Sequence, residues 1–225
     1  MKDIVIIGAG DFGREIAWLI ENINEKENQY NIMGYIDDNK DIIGKTFNGY
    51  KVIGDSDYLI EISKKNEIYG VISVQNARVK KIFENKLIDI HWETLIHPSV
   101  IMSATVEIGM GSIITAGNII TTNVFIGKHC LLNLSCTVGH DCILEDYVSV
   151  MPGCNLSGFT KLKEGCWIGT GAKIIPSKEI GRNSIIGAGA IVIKDIPDNC
   201  TAVGNPAKPI KFHEEQTEPI TLQQH

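Results

Sequence analysis

Starting at Met102 and advancing six residues at a time, the chain meets an aliphatic side chain at every step. The series runs Ile108, Ile114, Ile120, Ile126, Leu132, Val138, Leu144, Val150, Leu156, Leu162, Ile168, Ile174, Ile180, Ile186 and Val192. Sixteen positions including Met102, with no insertion between them, exclude a helix, which has no six-residue period. An ordinary sheet is not punctuated so strictly. The pattern is that of a parallel β-helix, each hexad supplying one short strand and one corner. With three hexads per turn the repeat makes about five coils, and a prism roughly 25 Å tall at ~4.8 Å between strands. The open ends of such a prism need covering, and the chain continues on both sides of the repeat.

Side chains two apart in a strand share a face, so the slot two before each aliphatic also points inward. Those slots hold Val106, Ser112, Asn118, Val124, Cys130, Cys136, Cys142, Val148, Cys154, Thr160, Cys166, Ala172, Lys178, Ser184, Ala190 and Ile196. Most are small, and five of the six cysteines fall among them. A narrow prism needs compact, weakly polar filler there. Lys178 departs from the pattern, and with Pro176 nearby it predicts a bulge over residues 174–179.

The stretch CTVGHDCILE, residues 136–145, sets a His-Asp pair between two cysteines. A metal site, a thiol nucleophile and a general base are the three chemistries it suggests. The register turns Cys136 and Cys142 inward and removes the thiol reading. His140 and Asp141 follow the inward Val138 by two and three residues, on the corner and outside the prism. A metal site lacks ligands: His129 and His140 are eleven residues apart, the repeat holds no third histidine, and His129 is expected at the surface.

The first hundred residues have a different grammar. Residues 2–7 read as a strand running into Gly8-Ala9-Gly10-Asp11-Phe12-Gly13, and residues 14–23 as a helix with Ile16, Ala17, Ile20 and Ile23 on one face. Residues 32–36 form a second strand ending at Asp37-Asp38, and residues 71–74 a third. An amphipathic helix with Val79, Ile82, Phe83 and Leu87 follows. This alternation predicts a small Rossmann-like α/β domain over residues 1–96, a β-helix over 97–212 and a polar tail over 213–225. The G-x-G-x-x-G turn, with Asp37 24 residues after Gly13, suits a phosphate or sugar hydroxyl at a helix N-terminus. A domain of this length is too short for both halves of a full NAD fold.

Net charge is −6, which argues against nucleic acid as a partner. No stretch approaches the ~20 apolar residues of a membrane span. The six cysteines show no C-x-x-C spacing, and the N-terminal apolar run is too short for an export signal, so free thiols in a reducing cytoplasm are expected.

Taken together, GAGDFGRE (8–15), YIDD (35–38), IHPSV (96–100), LLNLSCTVGHDC (131–142) and AVGNPAKPI (202–210) resemble bacterial nucleotide-sugar acetyltransferases of the NeuD/PglD type. The resemblance spans residues 1 to about 212 and implies a left-handed winding, against the usual crossover hand. It implies acetyl-CoA as donor, bound between neighbouring subunits of a homotrimer, with His140 as catalytic base and Asp141 orienting it. An imidazole suits proton abstraction near neutral pH. Carried over residue by residue, Gly158 would offer an amide near the thioester. Thr170, Gly171, Ala188 and Gly189 would line the pantetheine groove, with Pro206 and Lys208 near the adenosine end. Gly8, Gly10 and Gly13 would approach the nucleotide diphosphate, Asp37 and Asp38 the base or ribose, and Asn76 and Arg78 would complete that pocket. Asn133 would lie near the acceptor. Phe12 stands where some members carry a histidine that handles the sugar, which puts the acceptor's identity in question.

The expected reaction is acetyl transfer to the amine of a UDP-4-amino sugar, with no metal. The alternative is O-acetylation of sialic acid or a related hydroxyl. An NAD-linked oxidoreductase and a non-catalytic trimeric scaffold are the remaining readings.

Overall fold

The computed structural model describes residues 1–214, and residues 215–225, most of the expected tail, lie outside them. The chain forms two compact units, the first spanning Met1–Pro98 and the second beginning at Ser99.

In the first unit β1 (Lys2–Ile7) lies between β2 (Tyr30–Ile36) and β5 (Tyr69–Ile72), parallel to both. Outside β2 sits a hairpin of β3 (Thr46–Phe47) and β4 (Tyr50–Gly54), and β6 (His91–Trp92) closes the other edge. The alternation of β1 explains the layers. Val5 and Ile7 join a core with Leu59, Val79, Phe83 and Leu87. Ile4 and Ile6 face the opposite side, where α1 (Asp11–Lys26) contributes its buried stripe Ile16, Ala17, Ile20 and Ile23. Two further helices are fixed by side-chain caps. Asp55 accepts from the Tyr58 amide before α2 (Ser56–Ser63), and Asn76 accepts from the Arg78 and Val79 amides before α3 (Ala77–Lys86).

The second unit is the β-helix. Two-residue strands recur every six residues from Ile101–Met102 to Ile191–Val192, and those up to Lys173–Ile174 pair in parallel with the strand 18 residues on, as Ile119↔Thr137 and Thr137↔Asn155 show. Three parallel sheets result, closed at one end by Cys200–Val203 and the antiparallel Lys208–Phe212. The inward aliphatics from Ile114 to Val192 are buried, and so are the small slot residues from Ser112 to Ala190 other than Lys178.

Those small residues have work beyond filling space. Ser112 Oγ donates to the Gly127 carbonyl at 2.8 Å. The thiols of Cys130, Cys136, Cys142 and Cys154 donate to the carbonyls of Glu145, Met151, Ser157 and Gly169 at 3.1–3.2 Å. In every case the acceptor lies 15 residues ahead, on the corner of the next coil. At these five slots a short side chain with a hydrogen to give serves a corner carbonyl turned toward the axis, whereas Val124, Val148, Ala172 and Ala190 fill theirs without donating. All six cysteines are buried and none is in a disulfide, and burial pushes the Cys142 and Cys166 thiols up.

The corners share one backbone state. Every sixth residue from Gly111 to Gly189 has φ between about +50° and +75°, the left-handed region. At Gly111, Gly117, Gly153, Gly165, Gly171 and Gly189 this is glycine's natural ground, whereas His129, Asp141, Tyr147 and Phe159 hold it with side chains that disfavour it.

Two expectations fail here. Residues 174–179 do not bulge: Ile174 and Ile180 keep the six-residue step, and Lys161 pairs with Glu179 in register. Lys178 is half-buried at its slot. His129 is not at the surface but 1% exposed, stacked on Tyr147 one coil on with centroids 5.7 Å apart and planes 5° from parallel. His129 holds on its own edge the corner position that Asp141 holds on another, and its ring is enclosed between Gly111 on the preceding coil and Tyr147 on the next. His213, the first residue of the expected tail, is bonded to Thr201 Oγ1 at 2.8 Å.

Candidate active site

One edge of the prism carries the corners Asn123, Asp141, Phe159 and Ser177, stacked one coil apart. His140 stands on this edge with its side chain 55% exposed, and its Nδ1 lies 2.8 Å from Asp141 Oδ2. A carboxylate only accepts, so Nδ1 carries a proton, and in the neutral ring Nε2 then keeps its lone pair. Asp141 Oδ1 accepts from Asn123 Nδ2 at 3.2 Å. His140 and Asn123, both bonded to it, hold the Asp141 carboxyl below the usual carboxylate range. Phe159 meets the imidazole edge-on, centroids 5.0 Å apart at 88°.

Gly158 lies beneath the same ring. A Cβ on Gly158 would come 2.6 Å from His140 Cε1 and Nε2, so the absence of a side chain there is what lets the imidazole rest on the coil below. The thiols that flank the pair in sequence point away from it: Cys136 and Cys142 are 0% exposed. The ridge can therefore accept a proton but offers no sulfur nucleophile.

A different edge carries Thr170, Gly171, Ala188 and Gly189, in the turns that join Trp167–Ile168 to Lys173–Ile174 and Ile185–Ile186 to Ile191–Val192. A Cβ on Gly171 or Gly189 would meet nothing within 4 Å, so this edge is open. Pro206 and Lys208 adjoin its end, where Ile191 N donates to the Gly204 carbonyl and Ala207 N to the Ile191 carbonyl. Asn133 belongs to this edge too, not to the His140 edge. It is 6% exposed and its Oδ1 accepts from the Leu134 amide at 2.7 Å.

The first unit holds a cavity of about 420 Å³ lined by Gly8, Gly10, Phe12, Gly13, Asp37, Asp38 and Asn76, with Ser73, Val74 and Gln75 beside them. It opens at the carboxyl ends of β1, β2 and β5. There the connections leaving β1 toward β2 and β5 toward β6 run in opposite directions, which is where open α/β sheets bind ligands. Gly10 caps α1 without a side-chain bond, leaving first-turn amides directed at the cavity mouth. A Cβ on Gly13 would overlap the Gly8 carbonyl, so this glycine sets how closely α1 approaches β1.

The carboxylates were expected to meet base or ribose, and the structure binds both to the protein. Asp37 Oδ2 accepts from Ala9 N and Oδ1 from Asn39 N, each at 2.9 Å. Asp38 Oδ1 accepts from Ser56 N at 2.8 Å and Oγ at 2.6 Å. Asp37 thereby pins the glycine turn. Asn76 has its Oδ1 committed to capping α3. Arg78, expected to complete the pocket, is not among the residues lining it.

Comparison with known proteins agrees with both halves of this geometry. A family model described as the PglD N-terminal domain matches residues 3–87, and one described as bacterial transferase hexapeptide (six repeats) matches residues 159–194. GDP-perosamine N-acetyltransferase of Escherichia coli O157:H7 is 32% identical over 215 residues, covering 92% of this chain and 95% of that one. The chain belongs to the NeuD/PglD-type sugar acetyltransferases.

Solved structures of such acetyltransferases share its fold, including the left-handed winding. The acetyltransferase domain of PglB from Neisseria gonorrhoeae, in complex with acetyl coenzyme A, superposes with TM-score 0.85 at 32% identity, covering 93% of this chain and 99% of that one. A histidine-to-asparagine mutant of perosamine N-acetyltransferase from Caulobacter crescentus, in complex with CoA and GDP-perosamine, gives TM-score 0.85 at 28% identity, over 94% and 98% of the two chains.

For this acetyltransferase the structure brings His140, Asp141 and Gly158 to one ridge. It groups the remaining residues expected on the donor side on another edge and gathers those expected on the acceptor side, Asn133 and Arg78 apart, around one cavity. Asn123 and Phe159 went unread in the sequence. The signal was available: subtracting and adding 18 to Asp141 reaches both. Among the described residues no three His, Cys, Asp or Glu side chains come together to hold a metal, and no helix is long and apolar enough to cross a membrane.

Proposed function

We propose that this chain transfers the acetyl group of acetyl-CoA to the amine of a sugar carried on a nucleoside diphosphate, with His140 as general base. The observation that carries this reading is the exposed imidazole whose Nδ1 is held by Asp141 at 2.8 Å. The amine attacks the thioester carbonyl while Nε2 takes a proton from the nitrogen. The tetrahedral oxyanion is met by a backbone amide, that of Gly158 being the candidate beside the ring. Collapse breaks the carbon–sulfur bond, and the imidazolium returns its proton to the departing CoA thiolate. Asp141 stabilises the imidazolium and keeps the ring in the tautomer that leaves Nε2 free.

The relative in E. coli and the structural neighbour in C. crescentus are named as N-acetyltransferases of perosamine, which favours an amine over the hydroxyl of the O-acetylation reading. A UDP carrier, expected from the resemblance, and the GDP carrier in the relative's name would place the same diphosphate at the α1 amides. The donor-side residues and His140 occupy different edges of one prism, so a thioester lying along Thr170–Gly189 reaches an imidazole only if a second copy supplies it. This supports the homotrimer with sites between subunits.

A thermal-shift panel of UDP-, GDP-, dTDP- and CMP-sugars, each with and without acetyl-CoA, tests the reading. One nucleoside diphosphate sugar should raise the unfolding temperature, and its amino form should be acetylated where its hydroxyl analogue is not. A shift with NADH alone, or none with any acyl-CoA, would contradict it.

A further inference from the structure

We infer that Asn123 is a positioning residue for His140, acting through Asp141, a role that rests on the reading of His140 as the base. Asn123 precedes Asp141 by one whole coil at the same corner, both with left-handed backbone at φ 56° and 57°. Its Nδ2 donates to Asp141 Oδ1 at 3.2 Å, while Oδ2 of the same carboxylate faces His140 Nδ1 at 2.8 Å. Two bonds to two oxygens fix the carboxylate's rotation about Cβ–Cγ. With the histidine bond alone, either oxygen serves, and water competes for a side chain that is 37% exposed. The imidazole would then lose the reference that aims Nε2.

The donor is itself anchored. Asn123 N donates to Thr105 Oγ1 at 2.8 Å, and Asp141 N to the Thr122 carbonyl at 3.0 Å, so the two corners are held one coil apart. An amide suits the place on two counts. It donates without charge, so it orients the carboxylate without cancelling the negative charge that stabilises the imidazolium. Asparagine also tolerates the left-handed corner better than most residues with a side chain.

That second count is also the plain structural explanation for Asn123, and the experiment separates the two. Asn123→Gly keeps the corner conformation and removes only the amide. It should lower kcat by about 3–10-fold, the scale of one hydrogen bond, with both KM values and the unfolding temperature close to wild type. In ¹⁵N-histidine spectra the fraction of His140 carrying its proton on Nδ1 should fall. Asn123→Asp, of the same shape but opposing one carboxylate with another, should lower kcat further than glycine. Introduced into His140→Ala, Asn123→Gly should cause no additional loss. Wild-type kcat in Asn123→Gly, or the same fold loss in both backgrounds, would overturn the positioning role. Near-wild-type turnover in His140→Ala would instead overturn the base assignment beneath it.

Discussion

Replacing His140 with alanine should lower kcat about 10²–10⁴-fold, the contribution of a well-placed general base, while the protein stays folded and still binds CoA. The ring is exposed on a corner, so its removal leaves no cavity and no buried polar group unsatisfied. The loss should fall on kcat rather than KM, because in the proposed role the ring acts on a proton that moves only during attack. CoA release followed with a thiol reagent reads this directly, since the protein's own thiols are buried. Turnover within a few-fold of wild type would show that the proton leaves by another route.

Gly13→Val should have the largest effect on the first unit. Any Cβ there overlaps the Gly8 carbonyl, which is backbone and cannot swing aside, so α1 must move off β1. Overpacking of this kind costs about 1–3 kcal/mol. It also displaces the turn whose Ala9 amide is bonded to Asp37. The expected result is a lower unfolding temperature and a nucleotide-sugar KM raised at least about tenfold, the equivalent of ~1.4 kcal/mol. Gly10→Ala is the control, because a Cβ there meets nothing within 4 Å. It should leave folding nearly unchanged and impair only the approach of the ligand. An unchanged melting temperature and KM in Gly13→Val would remove the glycine turn from the account.

The hexads were legible because a closed prism imposes its period on every coil: one aliphatic at each sixth residue fixes register, corner and the inward direction of the cysteines. The β3–β4 hairpin and α2 were not legible. Thr46–Phe47 is two residues long, and Tyr50–Gly54 sets Val52 between exposed Lys51 and half-buried Ile53 in an irregular pairing with β2, so neither carries enough apolar pattern to announce a strand. At the site, the outward corner position of His140 was readable from its place in the hexad, while its expected role as base came with the resemblance. His129 was misread because its burial is set by Tyr147, and Asn123 was missed because its partner is Asp141. Each relation spans 18 residues and appears only when the coils are stacked.

The central claim is that the winding buries every thiol and leaves an imidazole on the ridge, so acetyl passes from sulfur to nitrogen in one transfer. Intact-mass measurement of the enzyme quenched during turnover tests this most directly. The claim predicts a polypeptide of unchanged mass at every time point, with acetyl found only on CoA and on the sugar. A species heavier by one acetyl group, formed and consumed at the rate of turnover, would contradict it.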